Sequence, residues 1–143
     1  MINIIFLLLS PLAFSNTPSK FKISCEVEMT NGSGTKTLKA TSPLFEGKEI
    51  VSDSTAKLEF RPYTLISEIR TVSTKFAAMH PELSMEIFKG DPVRASIYRA
   101  NLEGIDWKNF NYPLGIQGYQ FNDFEHEKVK YSRLDYNCRI TKN

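Results

Sequence analysis

Four side chains that could perform acid–base chemistry or bind a metal ion lie within five residues, namely Asp123, Glu125, His126 and Glu127. Three carboxylates and an imidazole could hold a hard cation or transfer protons. The segment lacks the pattern of a calcium loop, and it contains no His-Glu-x-x-His zinc motif. A solvated turn between two strands accounts for the same residues. We therefore assign no catalytic residue, metal or cofactor, and keep a small hydrolase that uses His126 and a neighbouring carboxylate as an alternative.

An aromatic loop around 104–118 is the first candidate for binding. It carries the only tryptophan, Trp107, together with Phe110 and Tyr112, and its apolar residues follow neither a strand nor a helix period. Binding residues concentrate on loops held by a rigid scaffold, and Trp and Tyr are favoured in binding hot spots. The alternative is that these rings fold inward and close one end of the core. If the loop binds a protein or a glycan, Trp107 is expected to be partly exposed.

The only two cysteines, Cys25 and Cys138, each lie on the apolar side of an alternating segment near opposite ends of the chain. We predict a buried disulfide between the first and last strands. It would close a loop of more than 100 residues, which the chain-entropy model values at about 4.7 kcal/mol. The alternative is two free thiols, one of them catalytic, and that use needs a nearby histidine such as His80 or His126.

Residues 1–15 have the pattern of a secretory signal peptide. The segment is uncharged and apolar, and Ala13 and Ser15 are small residues at positions −3 and −1 of a cut after Ser15. No Lys or Arg precedes the apolar run, and a buried N-terminal segment is the alternative. The run is shorter than the roughly 20 residues of a spanning helix. We expect export to the periplasm or the extracellular space, with no stable membrane anchor after cleavage.

The predicted mature chain, residues 16–143, fits a single domain. The full sequence holds 18 basic and 16 acidic residues, for a formal net charge of +2. Nucleic-acid binders usually carry a strong basic excess on one face, so we expect no nucleic-acid partner. The same composition leaves the oligomeric state open.

Strict alternation predicts strands at both ends of this domain. Apolar residues occupy every second position over 21–29 and again over 134–140, with polar residues between them. Asn31-Gly32-Ser33-Gly34 predicts a hairpin turn into a partner strand over 35–41. The same turn contains the acceptor pattern for N-glycosylation at Asn31, which matters only in a host that glycosylates.

The middle of the chain contains shorter strand-like segments separated by turn residues. Alternation indicates strands over 56–60, 83–87 and 93–97, while Lys89-Gly90-Asp91-Pro92 favours a turn. His80-Pro81 is interpreted as a loop. Residues 118–124 and 128–131 are expected to pair around Glu125-His126-Glu127.

Residues 63–79 fit two kinds of element. Leu65, Ile69, Val72, Phe76 and Met79 recur at helical spacing. The segment is also dense in β-branched residues, which favours a strand. We predict a strand from Tyr63 to about Val72, with one helix around 63–79 as the alternative.

These segments predict a mostly-β, single-domain antiparallel β-barrel or β-sandwich with short hairpins. The expected function is that of an exported, non-enzymatic domain that binds a protein or glycan through the aromatic loop, and an enzyme inhibitor belongs to this class. A second alternative, beside the hydrolase, is an envelope structural or assembly component that pairs through exposed strand edges.

Overall fold

The alternating segments form strands, and each strand runs antiparallel to its neighbours. The computed structural model describes residues 18–47, 54–74, 77–90, 94–110, 114–120 and 123–143, and no helix occurs among them. The strands are β1 (Lys20–Asn31), β2 (Gly34–Thr41), β3 (Phe45–Glu46), β4 (Ser54–Phe60), β5 (Tyr63–Thr74), β6 (Ala77–Lys89), β7 (Arg94–Asn101), β8 (Leu114–Gln120), β9 (Phe124–His126), β10 (Val129–Tyr131) and β11 (Arg133–Lys142).

Two sheets account for most of these strands. In sheet A the strand order is β2-β1-β11-β8, and β3 pairs with one end of β1. In sheet B the order is β4-β5-β6-β7, which follows the chain. The short strands β9 and β10 form a separate hairpin. The first and last strands are therefore neighbours at the centre of sheet A.

A shared core lies between the two sheets because one face of most strands is apolar. Every second residue of β1 is buried from Phe21 to Met29, and β4 and β11 alternate in the same way. Strand β4 packs against β1 and β2, and β7 packs against β8. The hydroxyl groups of Tyr98 on β7 and Tyr136 on β11 are 2.7 Å apart and join the two sheets by a hydrogen bond. The mostly-β antiparallel fold predicted from sequence is confirmed.

The described residues of the segment 63–79, which are 63–74 and 77–79, form strands. Strand β5 pairs with β4 on one side and with β6 on the other, so its backbone groups are satisfied by two ladders. Tyr63, Leu65 and Ile69 are buried, at positions that alternate from Tyr63 onward. The helical spacing of apolar residues was therefore misleading, and the β-branched density was the better indicator.

His80-Pro81, interpreted above as a loop, lies inside β6 instead. Thr71 is the partner of Pro81 on the β5 side. The backbone nitrogen and oxygen of one strand residue point to the same side, and the Pro81 oxygen accepts a hydrogen bond from Leu102 N at 2.9 Å. The Pro81 nitrogen therefore points toward Leu102, which follows the last residue of β7, Asn101. The missing N–H of proline therefore breaks no bond between β6 and β7.

The expected pairing of 118–124 with 128–131 also needs correction. Strand β8 pairs with β11, and only β9 pairs with β10. Glu127 and Lys128 have φ values of 50° and 66°, the positive values that a two-residue turn of type I′ requires at both positions. This tight turn fixes the short hairpin, while β8 fills the edge of β11 that β1 leaves open.

Candidate functional site

The aromatic loop packs into the core. Trp107 and Phe110 are 7% and 3% exposed, and their rings stack with centroids 5.5 Å apart. The indole also meets the ring of Phe21 edge-on at 5.1 Å and that of Phe45 at 6.2 Å. Loop and strand residues together close one end of the core.

Gly47 permits this packing. A Cβ atom at this position would lie 2.5 Å from the ring of Phe21 and 2.8 Å from Cβ of Trp107. The loop is also held by Asp106, whose Oδ1 accepts hydrogen bonds from the backbone nitrogens of Lys108 and Asn109 at 3.1 and 3.3 Å. The side-chain and backbone hydrogen bonds from Asn109 lower the pKa of Asp106. The loop is thus a fixed part of the core.

The expectation that Trp107 is partly exposed is not met. A buried ring has no free face for a partner, so the proposed binding role of Trp107 and Phe110 loses its physical basis, and the core-closing alternative describes both residues. Tyr112, the third candidate, lies outside the described residues. Any binding surface on the described part of the chain has to be sought elsewhere.

A second aromatic cluster closes the other end of the core, next to the β1–β2 turn. Phe60 stacks on Tyr63, Tyr63 meets Phe124 edge-on, and Phe124 stacks on Tyr131, each at 5.6 Å between ring centroids. All four side chains are buried. Asn31 holds the β9–β10 hairpin against this end because its Nδ2 donates to the Lys130 carbonyl at 2.8 Å. The hairpin therefore acts as a cover for the core.

His126 and Glu127 of this hairpin lie side by side, with His126 Nε2 3.8 Å from Glu127 Oε1, and they form a pair and not a larger cluster. Asp123, Glu125 and Glu127 are exposed, while His126 is largely buried. Glu127 forms an ion pair with Lys36 on β2, and this hydrogen bond and charge lower the pKa of Glu127. Nowhere in the described ranges do three or more His, Cys, Asp or Glu residues gather so as to hold a metal ion. The ion pair between Glu127 and Lys36 connects the β9–β10 hairpin to strand β2 of sheet A.

Asn31 has a structural role in the β1–β2 turn. Its Oδ1 accepts hydrogen bonds from the backbone nitrogens of Ser33 and Gly34 at 2.9 and 3.1 Å, in addition to the bond that its Nδ2 donates to Lys130. The amide nitrogen to which a glycan would be attached is therefore already engaged.

Sheet B carries a dense group of charges on its outer face. The guanidinium nitrogens of Arg70 lie 3.5, 3.3 and 3.5 Å from carboxylate oxygens of Glu68, Glu82 and Glu86, respectively. Nε of Arg99 lies 3.5 Å from Oε1 of Glu82. Glu82 and Glu86 are both buried. Buried carboxylates need paired cations, and the two guanidinium groups supply them. The charges on this face are thus paired with one another.

The outer face of sheet A is different, because it contains an open groove of about 450 Å³. We call this depression the outer groove. It lies over β1, β11 and β8, on the face opposite the core. It is lined by Glu26, Glu28, Gln117, Gly118, Tyr119, Arg133, Asp135, Tyr136 and Asn137.

The ladder registers place the polar side chains of the outer groove in two adjacent rows across the three strands. Partners at directly opposite positions have Cβ atoms about 4.5–5.5 Å apart. From β1 through β11 to β8, the first row contains Glu28, Asp135 and Tyr119. The second row contains Glu26, Asn137 and Gln117 in the same order. Carboxylates, amides and an aromatic ring thus lie side by side on a rigid surface.

Tyr119 is the most exposed large hydrophobic residue in the described part of the chain, at 61%. The guanidinium carbon of Arg133 lies 5.6 Å from its ring centroid. Arg133 also donates from Nε and from a terminal nitrogen to the two Asp135 oxygens, both at 2.6 Å. This bidentate pair raises the pKa of the Arg133 guanidinium. Arg133 is thus held against Asp135 at the edge of the outer groove, and the Tyr119 ring stays largely exposed to solvent.

A smaller depression of about 250 Å³ continues the outer groove along β8 and β11. The two share Gln117 and Asn137. Gly115 lies in this second depression, and a Cβ atom there would come within 2.6 Å of the Cys138 carbonyl oxygen and 2.8 Å of Cβ of Arg139. Because Gly115 has no side chain, the surface between β8 and β11 is recessed at this position.

Tyr119 was not among the predicted site residues, although it belongs to the aromatic-rich second half of the chain. A usable signal was present, because the buried Ile116 sets the alternation of β8 and places Gln117 and Tyr119 on the opposite face. The pairing of β8 with β11 supplied what the sequence could not, namely the neighbours of that ring.

Comparisons with known proteins gave no match for this chain, whether with protein-family models, with curated proteins or with solved structures. Over the residues described, there is also no helix with the length and hydrophobicity needed to cross a bilayer.

Proposed function

We propose that the protein is an exported, non-enzymatic binding domain and that the outer groove of sheet A is its binding surface. The observation that carries this proposal is the position of Tyr119, whose ring is exposed beside a polar groove. Trp107, Phe110, Phe124 and Tyr131 are by contrast all buried. Large aromatic rings are usually placed where they exclude water, and Tyr is enriched at binding hot spots.

The scaffold around Tyr119 supports the same proposal. Strand β11 lies at the centre of sheet A, where the disulfide cross-links it to β1 and a strand ladder pairs it with β8, so the row positions are held in register. Side chains on paired strands are held more precisely than side chains on loops. A ligand in the outer groove would therefore meet a preformed surface and would lose little free energy in ordering it.

Export is supported by the predicted signal peptide, which lies outside the described residues, and by the disulfide. Disulfides persist in oxidising compartments such as the periplasm and the extracellular space, and are rare in the reducing cytosol. The Cys25–Cys138 bond is compatible with such a compartment.

The envelope-assembly alternative receives less support from the sheet edges. Strand β2 forms one edge of sheet A and carries Lys36 and Lys39. Lysine on an edge strand opposes pairing with another chain. A surface for binding fits this arrangement better than an edge for polymerisation.

The binding proposal is tested by probing the purified protein on an array of oligosaccharides and an array of peptides. We expect at least one ligand class to be bound, and Tyr119→Ala to weaken that binding about tenfold or more, as expected for removal of an aromatic contact. Val129→Ala is the matched control, because Val129 is also exposed, at 42%, but lies on the β9–β10 hairpin. Absence of any Tyr119-dependent ligand on both arrays would contradict the proposal.

A further inference from the structure

Resting on the proposed function, we infer the chemical class of the ligand: an uncharged β1,4-linked oligosaccharide that lies along β8 and β11 with one sugar ring stacked on Tyr119. Three features of the outer groove support this assignment, namely its shape, its hydrogen-bonding groups and its charge. Each is independent of the others.

The shape of the outer groove suits an extended chain. Together with the depression at Gly115 it follows β8 as far as Tyr119, a distance of four residues or about 13 Å at the rise of a β-strand. That length exceeds a single sugar ring. A β1,4-linked chain is straight, and its rings are flat enough to lie on a sheet surface. The groove direction and the chain direction therefore agree.

The hydrogen-bonding groups suit hydroxyl groups. Gln117 and Asn137 carry planar amides that can donate and accept at once, and the nearby carboxylates accept through two oxygens each. Neighbouring hydroxyl groups of a sugar ring form paired hydrogen bonds with such planar groups. The C–H face of the ring is apolar and matches the exposed ring of Tyr119. The outer groove thus offers hydrogen-bonding groups to the hydroxyl groups of a sugar ring and an aromatic ring to its apolar C–H face.

The charge of the outer groove disfavours an acidic sugar beside Tyr119. It contains three carboxylates, Glu26, Glu28 and Asp135, and one cation, Arg133, which is bound to Asp135. Lys39, on β2 beside the groove, pairs with Glu26 at 2.6 Å. Beside Tyr119 a uronate or sulfated glycan would meet these three carboxylates and two cations that are already paired. Arg139 adds a cation only in the adjoining depression at Gly115. An uncharged chain adds no charge beside the Arg133–Asp135 and Lys39–Glu26 pairs.

A protein partner fits the same surface less well. The centres of protein–protein interfaces are depleted in Glu, Asp and Lys and enriched in aromatic residues. Here the centre of the face is occupied by Glu28, Asp135 and Asn137, and Tyr119 lies at the side. Such charges would be costly to desolvate under a large apolar interface.

The test is calorimetric titration of the purified protein with cellotetraose, chitotetraose and tetramannuronate, which are all β1,4-linked and have the same number of sugar rings. We expect one of the two uncharged chains to bind and the anionic chain to bind at least about tenfold more weakly, a difference of about 1.4 kcal/mol. Amide NMR shifts are expected to change at residues 115–119 and 133–137. Tyr119→Ala should reduce affinity about tenfold, while Tyr119→Phe, which retains the ring, should stay within about threefold of the wild type.

The outcomes separate the two proposals. Failure of both uncharged chains to bind, equal binding of tetramannuronate, or binding that survives Tyr119→Ala would each overturn the glycan assignment. If a peptide is then bound in a Tyr119-dependent way, the binding function stands and only the ligand class is wrong. Unchanged melting temperatures of the variants show that a loss of affinity comes from the surface and not from unfolding.

Discussion

Cys25 on β1 and Cys138 on β11 are direct partners in the antiparallel ladder and are joined by a disulfide, with their Cα atoms 4.1 Å apart. Both are buried on the core side of sheet A. The bond therefore links residues 113 positions apart at the centre of the sheet that also carries the outer groove.

The first prediction concerns the contribution of this bond to stability. Replacing both cysteines, Cys25→Ala and Cys138→Ala, is expected to lower the free energy of unfolding by about 2–5 kcal/mol, because a long loop is no longer closed in the unfolded chain. Urea denaturation with and without reductant is the measurement. The wild type should lose a similar amount on reduction. Two thiols that react with a maleimide in the unreduced, unfolded wild type would contradict the disulfide.

The second prediction concerns the aromatic loop. Trp107→Ala is expected to lower the free energy of unfolding by about 3–5 kcal/mol, as for other buried large-to-small changes. In the wild type, acrylamide should barely quench the fluorescence of this single tryptophan. Leu44→Ala is the control, since Leu44 is 47% exposed and surface changes usually stay within about 0.5 kcal/mol. An accessible indole with an unchanged denaturation midpoint would restore the loop as a candidate for binding.

Local patterns were sufficient for most of the strands and for the disulfide, because alternation indicates directly which side of a strand is buried. Cys25 and Cys138 could be paired on that ground alone. The fate of Trp107 could not be predicted, because burial of a loop residue depends on distant partners such as Gly47 and Phe21. Tyr119 was missed for the same reason: its neighbours are fixed by the pairing of β8 with β11, a long-range choice. His80-Pro81 was misassigned because the place where β7 ends is not visible in the sequence.

The third prediction uses the ion pair between Lys36 and Glu127. The pKa of Glu127 is lowered in the folded protein from its ordinary value of 4.5 by the Lys36 hydrogen bond and charge. A lowered folded pKa means that the stabilisation is present above the unfolded pKa and is lost as pH falls through the folded pKa. Glu127→Gln should therefore lower the melting temperature slightly at pH 7 and have no effect well below pH 4.5. A difference that persists in strong acid would assign the effect to packing and not to charge.

The last prediction concerns the two carboxylates in the middle of the outer groove. Glu28 and Asp135 are direct cross-strand partners, and like charges in that position destabilise a sheet. Asp135 is bound to Arg133, so replacing it removes a favourable pair, whereas Glu28→Gln only removes repulsion. We expect Glu28→Gln to raise the free energy of unfolding by roughly 0.2–1 kcal/mol and Asp135→Asn not to raise it. Urea titrations of the two variants and the wild type at low salt measure these free energies of unfolding. High salt should reduce the increase expected for Glu28→Gln, because it screens the repulsion. If Glu28→Gln gives no gain at low salt, then the Arg133 charge already neutralises the row, and the acidic character assigned to the outer groove is weaker than its residues indicate.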